Sequence, residues 1–374
     1  MIPERRKLIK RVLPFLFVGL FVIVCYLYFF VDIREMIALL KGVNPVYYSL
    51  AIVALLLDTL FFSLTWHYFL GPLSIRVAFR KTFLFVWVAT FVDLLVPAES
   101  VSGDISRAYL MSKETGESGE TERNTGKIAA SLVSHRILNT VVVLSSLVTS
   151  CLFFFVVLRY KLPQEPVLGM SISGWLMLVT LGTSIAFFFL FALAVKEEIT
   201  QKITDSLFRL VAFLSRGRWR LTELKSKVQT ALNAFHHAIK IFGRRPSILA
   251  KPTVFTLMSW FSSLLISSFV FASLGYPIQF GIVVIVYSLS CAIQSIPLGV
   301  PAEVGLTEVI MISLYTAFLR GTPGVTDVAA LSAAATFLIR ILTVGLRLLI
   351  GFVAVQFVGV KALMGGSSNR LSNR

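Results

Sequence analysis

The chain has 374 residues, 56% of them hydrophobic and only 14% charged, and carries a formal net charge of +16. Soluble domains run at about 45–50% apolar and about 25% charged, so the composition excludes an ordinary soluble enzyme. In a soluble protein that basic excess would suggest nucleic-acid binding, but here the Lys and Arg residues gather between apolar blocks, and no nucleic-acid partner is expected.

Six blocks are long and nearly uncharged: Val12–Val31, Val46–Leu70, Ile128–Leu158, Gly169–Val195, Thr253–Leu274 and Val328–Val358. A hydrocarbon core about 30 Å thick needs roughly 20 apolar residues in a helix, so each block can span and six spans is the minimum. The first block follows Arg5, Arg6, Lys7, Lys10 and Arg11, as a signal peptide would. No small-residue cleavage site follows Phe30, and Val12–Val31 is therefore expected as a retained span.

Lys and Arg accumulate on the cytoplasmic side of membrane proteins. With the N-terminus inside, Asp32–Pro45 is external, while Arg76, Arg80, Lys81 and the polar segment Lys113–Lys127 are internal. The loop Lys196–Lys251 is then cytoplasmic, with twelve Lys/Arg against four Asp/Glu. Within it Leu221, Leu224, Val228, Leu232, Phe235, Ile239 and Phe242 recur at helical spacing. That stripe predicts an amphipathic helix, lying on anionic headgroups or packed on the inner face of the bundle. The expected organisation is a basic segment and first span over 1–45, a first repeat over 46–195, the basic loop over 196–251, a second repeat over 252–358 and a polar cytoplasmic tail over 359–374. The expected home is a cell membrane of plasma or inner type, with multiple passes and both termini cytoplasmic.

Two apolar stretches depart from simple spans. Thr82–Val96 and Val101–Ser112 are each too short to cross and are joined by Pro97–Ala98–Glu99–Ser100. Gly281–Pro297 and Gly305–Leu319 are joined through Leu298–Gly299–Val300–Pro301–Ala302–Glu303–Val304. Backbone that leaves the helix at membrane depth survives only against protein or a wet cavity, so re-entrant or broken helical hairpins are expected over 82–112 and 280–320. A gap-free offset of 204 residues superposes Val96–Glu99 on Val300–Glu303, Asp104 on Glu308 and Arg136 on Arg340. The number of crossings between the copies makes the repeat inverted, a pattern typical of carriers. The fold class expected is an all-α polytopic membrane protein with about six full spans, two broken hairpins and an inverted internal repeat.

The segment from Pro97 through Gly103–Asp104 to Arg107, and its later counterpart from Pro297 and Gly299 to Glu303 and Glu308, resemble the flippase-like transmembrane region of lysylphosphatidylglycerol synthases. The resemblance covers roughly Val46 to Val358 and implies movement of amphiphilic lipids between leaflets. No stretch of the chain reads as a soluble aminoacyl-transferring domain, so synthase activity is not expected.

Charged groups inside a bilayer are costly, and each is a functional candidate by default. The residues expected to bind substrate are Glu99, Asp104, Arg107, Arg136, Glu303, Glu308 and Arg340. Glu99 and Glu303 serve equally well, on this reading, as acceptors for N–H groups at the helix breaks. Arg136 and Arg340 would neutralise the acids or fork onto a lipid phosphate. Asp104 and Arg107 lie three apart and can bridge one another. Asp58 has no sequence-local partner, Asp93 precedes the first tip, and His67 and His135 read as interfacial. Cys25, Cys151 and Cys291 lie singly in apolar blocks, so no metal, cofactor or redox site is expected.

The leading functional reading is a carrier for membrane lipids with anionic or zwitterionic headgroups, of undetermined oligomeric state. With no Gly-x-x-x-x-Gly-Lys-Ser/Thr stretch, transport would be passive or ion-coupled. A membrane-embedded transferase acting on a lipid-linked substrate and a non-transporting regulator are the alternatives. No catalytic residue is assigned.

Overall fold

The computed structural model describes residues 27–96, 101–115, 121–157, 196–214, 247–294, 301–320 and 327–371, with scattered positions elsewhere. These residues are almost all helical. In chain order they are α1 (Ile33–Lys41), α2 (Pro45–Leu70), α3 (Phe79–Leu95), α4 (Val101–Thr115), α5 (Thr121–Val157), α6 (Glu197–Leu214), α7 (Ser247–Ser273), α8 (Phe280–Gln294), α9 (Leu306–Leu319), α10 (Val328–Arg340) and α11 (Arg347–Leu371). Four stretches are long and apolar enough to cross a membrane: Pro45–Leu73, Gly126–Thr149, Ser247–Ser273 and Val328–Gly359. The other two expected spans, over 12–31 and 169–195, lie largely outside the described residues, as does most of the stripe over 221–242.

The segment Asp32–Pro45, read from sequence as a plain external stretch, contains α1. The Asp32 carboxylate starts this helix by accepting from the N–H groups of Arg34 (2.9 Å) and Glu35 (3.2 Å). Asn44 then caps α2 by accepting from Val46 N–H at 2.9 Å, with Pro45 at the first helical position, where its missing donor costs nothing. At the start of α6, Glu197 accepts from Lys240 Nζ at 2.8 Å, a bond whose charge holds this exposed carboxyl below its ordinary pKa.

The two arms of each expected hairpin pack on one another, and all four are shorter than a full span. α3 and α4 have 17 and 15 residues, α8 and α9 have 15 and 14. At 1.5 Å per residue these arms reach only about 21–26 Å, short of a core of about 30 Å. A Lys81–Glu114 ion pair ties the open end of the first hairpin.

Shifting the first half by 204 residues brings its element boundaries close to those of the second: α2 falls on α7, α3 on α8, α4 on α9, and α5 on α10 with the start of α11. The helices α2 and α7 pack on each other along much of their length. Asp58 meets Ser259, Thr65 meets Thr256, and Tyr68 meets Phe255 and Lys251, so positions rise on one helix as they fall on the other. These register-equivalent helices therefore run antiparallel. Contacts between the halves are also exchanged: α3 lies against α11, and α8 lies against α5.

Apolar burial collects in two clusters at opposite ends of α2. Ala51, Leu55, Phe271, Ile285, Tyr315 and Ala334 form one, and Trp66, Phe69, Phe85, Met111 and Ile128 form the other. Outward-facing residues such as Leu50, Val53, Leu257, Phe261, Phe352 and Phe357 are large and apolar, as a lipid-facing surface requires.

The contact between α3 and α11 depends on Gly351, where a Cβ would come within 2.7 Å of Phe91 Cβ and 2.9 Å of the Trp87 carbonyl oxygen. Gly351→Leu should lower stability by about 1–3 kcal/mol through overpacking, seen as a lower melting point by fluorescence-detected size exclusion after heating. Gly359→Leu on the same helix, where nothing lies within 4 Å, should leave the melting point unchanged.

Candidate functional site

At the first hairpin tip the chain folds back around Asp93. Its Oδ1 accepts from Ser102 Oγ at 2.7 Å and from Gly103 N–H at 2.6 Å, closing the start of α4 onto the end of α3. A side chain at 103 would come within 2.9 Å of the Ala89 carbonyl oxygen, so glycine is what lets the arms approach. Asp104 then forms an ion pair with Arg107 and stands 3.6 Å from Arg136 Nε. Glu99 lies outside the described residues.

Arg107 is buried. Its guanidinium carbon stands 5.4 Å from the Phe62 ring centroid and 5.0 Å from that of Trp66, and Nη1 is 3.4 Å from His135 Nδ1. Two aromatic faces and one carboxylate replace the water this cation has lost. His135, read from sequence as interfacial, is in fact buried beside it and packed on Phe62 at 4.3 Å between centroids. The sequence reading placed it by distance from the ends of the block, but α5 begins well before that block and carries His135 inward.

The second tip is built differently. Ala302, Glu303 and Gly305 have φ of 49°, 52° and 93°. Two consecutive non-glycine residues in the left-handed region cost roughly 1–3 kcal/mol each and need support from around them. Arg340 supplies it: Nη2 donates to the Ala302 carbonyl oxygen at 2.5 Å, and Nε donates to Glu308 Oε1 at 2.5 Å. Glu308 Oε2 accepts from Gly305 N–H at 2.6 Å and so caps α9. Glu303 Oε2 accepts from Thr307 Oγ1 at 2.7 Å. Directly after Arg340 the helix widens to π geometry over Ile341–Leu346, a distortion frequent at functional sites.

Between the two tips lies a cavity of about 410 Å³, within the range of about 300–1,000 Å³ typical of small-molecule sites. Its charged walls are Asp58, Asp93, Glu303, Arg340 and Arg347. Arg347 Nη2 donates to Asp58 Oδ2 at 2.5 Å, and Ser259 Oγ donates to Asp58 Oδ1 at 2.6 Å. Tyr287, Ser290, Tyr315 and Trp260 add polar atoms. Of the residues lining it, Ser290 Oγ, Trp260 Nε1 and Arg347 Nε are buried and have no partner among the described residues. Unpaired buried donors in a roomy polar space call for water or a ligand rich in acceptors.

Of the seven residues singled out from sequence, Glu303 and Arg340 face this cavity. Asp104, Arg107, Arg136 and Glu308 bracket the hairpins from outside it. Asp58, Asp93 and Arg347 face it but were not among the seven. Each was visible as an ionisable group in an apolar block, yet the partner of Asp58 is 289 residues away, beyond any sequence-local signal. Among the described residues no group of three His, Cys, Asp or Glu side chains is placed to hold a metal ion.

Removing one member of a buried pair strands the other, at a cost of about 3 kcal/mol or more. Asp58→Asn should therefore be strongly destabilising, and Asp58→Asn with Arg347→Gln should recover part of the loss. A double-mutant cycle on chemical unfolding in detergent measures it, with a coupling above about 1 kcal/mol expected for groups in contact.

The family model described as the lysylphosphatidylglycerol synthase TM region matches residues 16–351. A UPF0104 membrane protein of Pyrococcus horikoshii is 22% identical over 340 residues, covering 89% of this chain and 93% of that one. One from Methanothermobacter thermautotrophicus is 24% identical, covering 86% and 88%, and one from Methanocaldococcus jannaschii is 23% identical, covering 94% and 96%. With its membrane-spanning helices, two hairpins and a match along most of its length, the chain belongs to the family of the lysylphosphatidylglycerol synthase transmembrane region.

Proposed function

We propose that this multi-pass membrane protein is a lipid carrier that moves a polar or charged headgroup, anionic or zwitterionic, between leaflets. The observation that carries this reading is the cavity between the hairpin tips, with five ionisable residues set in an otherwise apolar bundle. Insertion scales put each such charge at about 2.5–3.5 kcal/mol at the centre of a span. Stability alone would favour apolar replacements, so a cavity keeping five of them supports a polar passenger. Three acids and two arginines face it together, which suits a headgroup bearing both donors and acceptors.

Carriers with broken helices place their site near the midplane, between repeats that rock against each other. The antiparallel crossing of α2 and α7, with a tip on either side, supports that movement here. On this reading Glu303 and Arg340 contact the headgroup. Glu308 holds Arg340, and Asp104, Arg107 and Arg136 hold the first hairpin in the corresponding place. The protein sits in the cell membrane with both termini cytoplasmic, as the basic loop over 196–251 favours.

Reconstituted into vesicles holding fluorescent phosphatidylglycerol or phosphatidylethanolamine, the protein should expose inner-leaflet label to dithionite without altering the lipid. Glu303→Gln should slow that exposure about tenfold, a change of about 1.4 kcal/mol in the barrier. Recovery of chemically modified lipid would overturn the reading in favour of a transferase. In a second test, single cysteines at Ser100 and Ala302 in a cysteine-free background should react with membrane-impermeant maleimide from opposite faces. Labelling of both from one face would overturn the inverted arrangement.

A further inference from the structure

Beside the polar cavity lies an apolar groove of about 510 Å³ between α5, α7 and α8. Trp260 lines both spaces. We infer that the groove holds a hydrocarbon chain of the same lipid whose headgroup occupies the cavity, with Trp260 at the junction between head and chain. The inference rests on the carrier reading and deepens it.

Three observations carry it. The groove walls are carbon where it matters: Val141 and Val142 on α5, Leu257 on α7 and Val284 on α8. Two of its three hydroxyls, those of Ser146 and Thr149, are already engaged. Ser146 Oγ is 2.6 Å from Ser288 Oγ and 2.8 Å from the Val143 carbonyl oxygen, and Thr149 Oγ1 donates to the Ser145 carbonyl at 2.7 Å. Among the described residues the groove shares one buried donor without a partner, Trp260 Nε1, with the cavity next door, which adds those of Ser290 and Arg347.

The groove is also a departure from the register between halves. Ser145, Ser146 and Thr149 stand where the shift of 204 residues puts Leu349, Ile350 and Val353. On that other side α11 closes directly on α3, with Gly351 against Phe91 and Trp87. Small residues on α5 thus line the groove at positions where the other half carries large apolar ones. Trp260 is suited to the boundary, since its ring faces apolar neighbours while its N–H, buried and unpartnered, offers one donor to a lipid's ester or phosphate oxygens.

The test compares phosphatidylglycerol, phosphatidylethanolamine and diacylglycerol, each with the same mid-chain diazirine, photolysed in vesicles containing the full-length protein. At least one phospholipid should label peptides 254–261 and 281–288 several-fold more than diacylglycerol does. The outward face at Phe352 and Phe357 should be labelled alike by all three, as ordinary surrounding lipid. Val284→Trp and, independently, Leu257→Trp should abolish the selective labelling and slow lipid transport, while melting near the wild-type temperature. Equal labelling by all three lipids overturns the inference, as does unimpaired transport in both well-folded variants. The two readings fail separately. Transport with unselective labelling removes the groove but keeps the carrier, and selective labelling without transport of any lipid keeps the groove but removes the carrier.

Discussion

An interrupted helix inside a bilayer leaves N–H and C=O groups that water cannot reach, and every feature of the two hairpins answers to that constraint. At the second tip one arginine meets most of the demand. Arg340 holds the Ala302 carbonyl and, through Glu308, the Gly305 N–H. Its own charge is balanced by the carboxylate it organises. At the first tip the work is divided. Asp93 takes the Ser102 hydroxyl and the Gly103 N–H, and Asp104 is left to pair with cations. The hairpins are thus stabilised by charged groups whose first task is backbone satisfaction, and only those left facing the cavity are available to a ligand.

The halves share a plan but not a distribution of charge. The shift of 204 residues puts Met311 opposite Arg107, Ile339 opposite His135, Ser262 opposite Asp58 and Val143 opposite Arg347. With Arg107 present, Asp104 engages it closely, and Arg136 stands back at 3.6 Å with its side chain 45% exposed. Where Met311 replaces that competitor, Arg340 stands 2.5 Å from Glu308 while also holding the Ala302 carbonyl, with its side chain only 15% exposed. One cation more or less therefore decides whether the equivalent arginine is locked or loose. Two copies of one motif are in this way held in unlike states.

Much of this was legible in the sequence, and the limits of legibility are physical. Apolar length gave the spans over Val46–Leu70 and Thr253–Leu274, and Pro and Gly beside a glutamate marked both helix breaks. The offset of 204 residues superposes Asp104 on Glu308 and Arg136 on Arg340 and so marks both arginines as partners for the acids, without telling which acid each one meets. What periodicity cannot carry is a contact between segments outside that register. Asp58 with Arg347, and Arg107 between Phe62 and Trp66, join helices far apart in the chain by side chains unique to one half. The inward placement of His135 was hidden for another reason: the polar start of α5 made the helix longer than its apolar block.

The pair of Asp58 and Arg347 sits where those non-repeated contacts matter most. Asp58 lies on α2 where that helix crosses α7, and it draws Ser259 of α7 and Arg347 of α11 to one carboxylate. Arg340 and Arg347 lie seven positions apart, a spacing that in a regular α-helix repeats nearly the same face. The π turn between them changes that phase, and the two arginines reach different partners, one on the hairpin tip and one on the helix crossing. A single distorted helix thereby connects the support of the tip to the crossing of the two halves. A rearrangement of the tip that moves Arg340 would reach, through six residues of π-helical backbone, the Asp58–Arg347 ion pair that ties α2 to α11.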